Sequence, residues 1–179
     1  MAHCGNHTVY FDLQHGIPKI EVIGHVILQK SARAAAVVMK KRTGFNTKRC
    51  ISDDFRPETL ESLVQQVSYG GNPEHKRNPG DFGLTPPSQP RPDKSLCDDV
   101  KIFSKATALQ LLKEGIRRGL VSQSLRNGFP QNIWAVTANG VPVEAQLENV
   151  TLGIYHGYPM PSGDPFAQKV ISHWRHIDE

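Results

Sequence analysis

The fold is decided by the stretch Asn132-Ile133-Trp134-Ala135-Val136-Thr137-Ala138-Asn139-Gly140-Val141-Pro142-Val143-Glu144-Ala145-Gln146-Leu147. Two runs rich in β-forming residues flank Asn139-Gly140, a dipeptide that supplies the positive backbone angles of a tight turn. Pro142 has no amide hydrogen, so we expect the second strand to start at an edge or at an unpaired position. The stretch therefore predicts a β-hairpin.

Two further elements are expected after this hairpin. Residues 151–158 are rich in β-formers and predict a third strand. Asp164-Pro165 can cap and open a helix that reaches His173 or Trp174, because apolar residues recur on one helical face from Phe166 onward. The C-terminal half therefore predicts an antiparallel meander followed by a helix.

Two helices are expected before the hairpin. Pro57 suits the opening turn of the first, whose apolar positions repeat at helical spacing until Gly70-Gly71. Ser104 can cap the second, which ends at Gly119. The stretch between them contains four prolines in residues 84–96, which predicts a loop without regular structure.

The N-terminal third of the chain has a different character. Residues 8–13 and 20–28 read as strands of a second hairpin, and residues 31–42 read as a short helix with a cationic end; the alternative is a flexible basic arm. We therefore divide the chain into a basic hairpin and helix segment, residues 1–49, and an α+β domain, residues 50–179. The expected fold is α+β, with helices packed on a C-terminal antiparallel β-meander.

Positive charge is concentrated locally. The formal net charge is +4, but residues 30–49 contain seven basic residues and no acid. Such a field attracts RNA, DNA or another acidic partner, although an ordinary solubilising surface has the same composition. The basic residues expected to contact nucleic acid are Lys40, Lys41, Arg42, Lys48, Arg49, Arg117 and Arg118.

The composition excludes several classes of protein. No apolar run approaches the ~18 residues of a membrane span, and the N-terminus lacks the pattern of a secretory signal, so a cytoplasmic protein without a membrane partner is the default expectation. Three widely spaced cysteines fit neither a disulfide framework nor a Cys-X-X-Cys metal site. His173 and His176 lack a convincing third ligand, so no metal or cofactor is expected.

The strongest functional pattern is Glu74-His75-Lys76-Arg77-Asn78-Pro79-Gly80-Asp81-Phe82-Gly83. It places an imidazole, an ammonium and a guanidinium next to one another in a loop. His75 can transfer protons near neutral pH, while Lys76 and Arg77 can bind a phosphate. The alternative interpretation is a solvated basic loop that happens to contain a histidine.

This pattern resembles the barnase, colicin and RelE-like group of bacterial ribonuclease toxins over about residues 74–160. The resemblance rests on a histidine with an adjacent lysine, a Phe-Gly a few residues later, a helix, and a β-meander with an Asn-Gly turn. The residues that carry it are His75, Lys76, Phe82, Gly83, Asn139, Gly140, Tyr155 and His156. The chain departs from the group in its Asn78-Pro79-Gly80 segment and its long proline-rich insertion.

The resemblance implies metal-independent cleavage of RNA, in which the substrate's 2′-hydroxyl attacks the adjacent phosphate. His75 would be one proton-transfer group, with Lys76 and Arg77 stabilising the phosphate. His156 or Tyr155 would serve the leaving oxygen. The expected partners are RNA and an acidic antitoxin or immunity protein that covers the positive cleft.

Two other functions compete with this one. Asp81 and Glu144 resemble a permissive form of a metal-dependent nuclease pattern, in which carboxylates hold magnesium. The basic segment and the cationic helix could instead make the chain a nucleic-acid or protein binding module without enzymatic activity. For Tyr155 and His156, the alternative to catalysis is a structural role in a sheet.

Overall fold

The computed structural model describes residues 49–176. The hairpin and basic helix expected in residues 1–48 lie outside this range, and so do Lys40, Lys41, Arg42 and Lys48.

Within residues 49–176 the chain forms three α-helices, a four-stranded sheet and a two-stranded sheet. In chain order the elements are α1 (Pro57–Gln66), β1 (Ser68–Tyr69), α2 (Lys105–Arg117), β2 (Leu125–Arg126), β3 (Phe129–Pro130), β4 (Asn132–Val136), β5 (Pro142–Asn149), β6 (Ile154–Pro159) and α3 (Pro165–His176). The fold is α+β, as the sequence predicts.

The larger sheet has the strand order β1-β6-β5-β4. Strands β4, β5 and β6 form the expected antiparallel meander, in which Trp134 pairs with Glu144 and Gln146 pairs with His156. Strand β1 then adds to β6 in parallel, so that the sheet is mixed. The sequence did not predict β1, because two residues carry no periodic signal.

The hairpin turn differs in detail from the expectation. The amide of Thr137 donates to the carbonyl of Val141 at 2.9 Å, which closes a three-residue loop. Gly140 has a φ of 77°, but Asn139 does not adopt a positive φ. The dipeptide Asn127-Gly128 does have two positive φ values, 50° and 80°, and it forms the turn between β2 and β3, which was not predicted from the sequence.

Local signals correctly predict the helix starts. Pro57 is the first residue of α1. The hydroxyl of Ser104 accepts a hydrogen bond from the amide of Thr107 at 3.1 Å and caps α2. A carboxylate oxygen of Asp164 accepts from the amide of Phe166 at 3.0 Å at the start of α3.

The two faces of the sheet are covered differently. On one face, Ile133, Ala145 and Tyr155 pack against the apolar sides of α1 and α2. Gly115 lets α2 approach β4, since a Cβ there would lie 2.2 Å from the carbonyl oxygen of Trp134. On the other face, Trp134 packs against Phe166 of α3.

The rest of this second face carries polar side chains. Side chains alternate between the faces of a strand, so Glu144, Gln146, His156 and Tyr158 share the face of Trp134. The long connection between β1 and α2 contains three 3₁₀ turns and otherwise no regular structure, as expected for residues 84–96. This connection brings further residues to the polar face.

No helix in residues 49–176 combines the length and the apolar character needed to cross a membrane.

Candidate functional site

His75 ends the 3₁₀ turn Pro73–His75, and only 5% of it is exposed. Its Nδ1 lies 2.8 Å from the carbonyl oxygen of Ser95. A carbonyl can only accept, so Nδ1 carries the proton and Nε2 of the neutral ring has the lone pair. Nε2 has no hydrogen-bond partner among the described residues. The lone pair of the neutral ring is therefore on Nε2.

The ring of Tyr158 brings His75 to the sheet. The two rings stack with centroids 4.8 Å apart and an interplanar angle of 22°. Tyr158 lies two residues after His156 on β6, so their side chains lie on the same face. The structure therefore brings two of the histidines singled out in the sequence, His75 and His156, to one place.

His156 faces a carboxylate. Its Nδ1 lies 3.6 Å from a carboxylate oxygen of Glu148, and this nitrogen is buried without a hydrogen-bond partner among the described residues. Gln146 is directly opposite His156 on β5, and its amide donates to the hydroxyl of Tyr158 at 2.9 Å. A carboxylate beside an imidazole stabilises its protonated form.

Lys94 is the cation of this cluster. The pKa of His75 is lowered to about 4, chiefly by burial and against the opposing effect of the Ser95 carbonyl, and the charges of Lys94 and His156 contribute in the same direction as burial. Burial also lowers the pKa of His156, against the effect of Glu148, and Lys94 again acts in the same direction as burial. Lys94 therefore interacts electrostatically with both imidazoles.

Two contacts fix the loop that carries Lys94. Arg91 donates to the carboxylate of Glu74 at 3.0 Å, and the hydroxyl of Ser95 donates to the carbonyl of Pro159 at 2.8 Å. The loop around Lys94 is thus attached both to the segment of His75 and to β6. Lys94 was not predicted from the sequence, because nothing in a proline-rich loop indicates where its lysine will point. Glu148 was not predicted either, because it lies at an irregularity in the pairing of β5 with β6, between Leu147 and Asn149.

Lys76 does not join the cluster. Its ammonium is buried, with 1% of the side chain exposed, and it contacts Asp98 at 3.0 Å, Asp81 at 3.7 Å and the carbonyl of Ile102 at 3.3 Å. It also lies 4.6 Å from the centre of the Phe82 ring. The backbone at Lys76 is extended, so its side chain points away from that of His75. Its contacts are those of a residue that fixes the loop.

Arg77 and Tyr155 also lie apart from the histidines. The guanidinium of Arg77 contacts Asp99 at 2.7 Å, and 65% of its side chain is exposed. Tyr155 is on the opposite face of the sheet, where it is buried and its hydroxyl donates to the carbonyl of Pro130 at 2.6 Å. Burial raises the pKa of Tyr155, which makes it a poor proton donor or acceptor near neutral pH.

Arg49 belongs to a buried ionic network. Its guanidinium donates to both carboxylate oxygens of Glu144 and to Asp164 at 2.7 Å. Glu144 also accepts from the side-chain amide of Asn132 at 2.7 Å and from the hydroxyl of Tyr158 at 3.1 Å. Arg49 is thus buried within the α+β domain. The sequence predicts a start of that domain at residue 50. Its charge is not presented to a nucleic acid.

The carboxylates of the metal-dependent alternative have different partners. Both oxygens of Glu144 accept hydrogen bonds within the buried network, whereas Asp81 contacts Lys76. Among residues 49–176, no group of three or more His, Cys, Asp or Glu side chains has the arrangement of a metal site.

The two arginines at the end of α2 differ in exposure. Arg118 contacts Glu114 at 2.8 Å, donates to the carbonyl of Trp174 at 3.1 Å and lies over the Trp174 ring at 4.3 Å. It therefore attaches α2 to α3. Arg117 is 3.7 Å from Glu114, and 49% of its side chain is exposed, so it can reach a ligand.

No protein-family model matches this chain, and comparison with curated proteins and with solved structures gives no significant match.

Proposed function

We propose that this domain is a toxin-type endoribonuclease that cleaves RNA by metal-independent acid-base chemistry, with His75 and His156 as its proton-transfer groups. The observation that carries the proposal is the stack of His75 on Tyr158, which lies two residues from His156 on the same face of the sheet. RNA supplies its own nucleophile, so two imidazoles and a cation are sufficient for this chemistry.

His75 is the general base. Burial keeps it neutral at physiological pH, and its proton lies on Nδ1 against Ser95. Nε2 accepts the proton of the ribose 2′-hydroxyl as that oxygen forms a bond to phosphorus. The stack on Tyr158 holds the ring in one orientation, which proton transfer requires.

His156 is the general acid. Burial lowers the pKa of His156, whereas the carboxylate of Glu148 and the negative charge of a bound phosphate favour its protonated form. As the bond from phosphorus to the 5′-oxygen breaks, His156 gives its proton to that oxygen. The products are a 2′,3′-cyclic phosphate and a free 5′-hydroxyl.

Lys94 stabilises the phosphate. Its positive charge acts on both histidines, and its loop is attached to the segment of His75 and to β6, which supports this role. A fixed cation stabilises the negative charge that accumulates on the phosphate oxygens in the transition state. Lys94 therefore takes the role that the sequence pattern suggested for Lys76 and Arg77.

The test is cleavage of a fluorescent RNA by purified protein in excess chelator. Wild-type protein should cleave RNA but not the same strand with 2′-O-methyl groups, because the nucleophile is then blocked. His75→Ala and His156→Ala should each lose at least about 100-fold in rate, the lower end for a general acid or base. His173→Ala is the matched control, since His173 lies on α3 outside the cluster, and it should retain wild-type activity.

The alternatives give different results. Cleavage that disappears in chelator and returns with magnesium would contradict the histidine mechanism and favour carboxylate-dependent metal chemistry. Binding of RNA without turnover in any sample, with the fold verified by circular dichroism, would favour the binding module. If His75→Ala and wild type cleave RNA at the same rate, His75 is not a proton-transfer group of the reaction.

A further inference from the structure

A second basic surface lies away from the histidine cluster. A groove runs beside α2 and the turn between β4 and β5. Its cations are Lys101, Lys113 and Arg117, and its neutral polar side chains include Thr107, Gln110 and Asn139. We call this surface the α2 groove.

The charges of the α2 groove are largely available to a ligand. No carboxylate of the described residues lies within ion-pair distance of Lys101 or Lys113. The acid that lines the groove, Glu114, contacts both Arg117 and Arg118. The groove therefore presents a net positive surface with neutral hydrogen-bonding groups around it, which suits a chain of phosphates.

The backbone of Lys101 provides independent support. Lys101 follows the 3₁₀ turn Cys97–Val100 with a φ of 64° and a ψ of 28°, a left-handed conformation that disfavours residues with a Cβ. The preceding turn Pro79–Phe82 ends in the same conformation, with glycine at that position: Gly83 has a φ of 64° and a ψ of 31°. A lysine where glycine fits better indicates that its side chain is used.

The α2 groove is connected to the proposed cleavage site. Ile102, which lines the groove, accepts a hydrogen bond from Lys76, and Lys76 directly follows His75. The segment that carries Lys101 is therefore packed against the segment that carries His75. A long polymer is a ligand that could contact both.

We propose that the α2 groove binds the phosphodiester backbone of single-stranded RNA, through Lys101, Lys113 and Arg117, while the strand is cleaved at His75 and His156. This inference rests on the proposed function for the identity of the polymer. Contacts to phosphates alone bind RNA without regard to its sequence.

Binding is measured by fluorescence anisotropy with a labelled, fully 2′-O-methylated single-stranded RNA at several salt concentrations. The combined variant Lys101→Gly/Lys113→Gln should bind more weakly, and its logarithmic salt dependence should be smaller by about 0.7 for each phosphate that is no longer bound. Lys101→Gly alone should also raise Tm by about 2–4 °C, because glycine adopts the left-handed backbone conformation without the steric strain of a Cβ. Weaker binding by a more stable protein cannot be attributed to misfolding.

Lys169→Gln is the matched control, because it removes one exposed charge from α3 outside the groove. It should leave affinity and salt dependence unchanged. Equal affinity of the combined variant and wild type would overturn the proposal, and so would an equal loss in Lys169→Gln. Displacement of the RNA by polyglutamate as effectively as by unlabelled RNA, at equal charge, would assign the groove to an acidic protein instead.

Cleavage of unmodified RNA separates this inference from the proposed function. If wild type cleaves RNA through His75 but the combined variant binds normally, the groove assignment is wrong and the nuclease assignment stands. If no RNA is cleaved but the combined variant binds RNA more weakly, the groove assignment stands and the nuclease assignment is wrong.

Discussion

The imidazole of His75 stacks on the phenol ring of Tyr158 at a centroid separation of 4.8 Å, although the two residues lie in a loop and in a strand that are distant in sequence. The hydroxyl of Tyr158 in turn donates to Glu144 and accepts from Gln146. Tyr158 therefore connects the proposed general base to the buried ionic network.

Tyr158→Phe keeps the ring under His75 but removes the hydroxyl. We expect it to lower the free energy of unfolding by about 1–3 kcal/mol, because Glu144 loses a buried hydrogen bond. Cleavage should persist. Tyr158→Ala should instead abolish cleavage and cost about 3–5 kcal/mol, since the support of the His75 ring is removed. Urea denaturation and the RNA assay measure the two effects; a larger loss of activity in Tyr158→Phe than in Tyr158→Ala would contradict this role for the ring.

The buried state of His75 makes stability depend on pH. Its pKa is about 4 in the folded protein and about 6.5 in an unfolded chain, so between these pH values the unfolded state binds a proton that the folded state does not. The free energy of unfolding should therefore fall as pH is lowered from about 6.5 to about 4, by up to roughly 3 kcal/mol from this residue.

His75→Phe keeps a ring on Tyr158 but cannot titrate. Urea denaturation at pH 7.5 and pH 5 should show a smaller difference in the free energy of unfolding for His75→Phe than for wild type. If the free energy of unfolding changes by the same amount between the two pH values in both proteins, His75 is not a buried neutral ring in the folded state.

Loss of Glu144 should destabilise the domain strongly. Glu144→Ala leaves the buried guanidinium of Arg49 without one of its two carboxylates, which should cost about 3–5 kcal/mol. Arg77→Ala is the comparison, because its ion pair with Asp99 is exposed, and it should cost less than about 1 kcal/mol. Thermal unfolding distinguishes the two; similar changes in Tm would indicate that Glu144 is not part of a buried ion pair.

Gly115→Ala should separate α2 from the sheet. The added methyl group would lie 2.2 Å from the carbonyl oxygen of Trp134, so the helix must shift, at a cost of about 1–3 kcal/mol or more. Gly80→Ala serves as the control, since no atom lies within 4 Å of the added methyl group and the φ of Gly80 is not positive. A wild-type Tm for Gly115→Ala would show that the helix does not pack this closely.

The sequence determined the elements whose signals are local. Pro57, Ser104 and Asp164 mark the starts of three helices because each acts on the backbone within its own first turn. The hairpin of β4 and β5 was predictable for the same reason, since its turn and its strands are adjacent in the chain. Of the candidate site, the sequence indicated His75 and His156, which are recognisable by their chemistry alone.

Only the tertiary structure decided which side chains meet. His75 and Lys76 are neighbours in sequence, but the extended backbone sends one to Tyr158 and the other to Asp98. The loop that carries Lys94 is attached to the segment of His75 and to β6 by contacts to Glu74 and Pro159. Arg49 is buried by two carboxylates that are far from it in sequence. The direction of a side chain depends on long-range packing and charge pairing, and no local pattern encodes either of these.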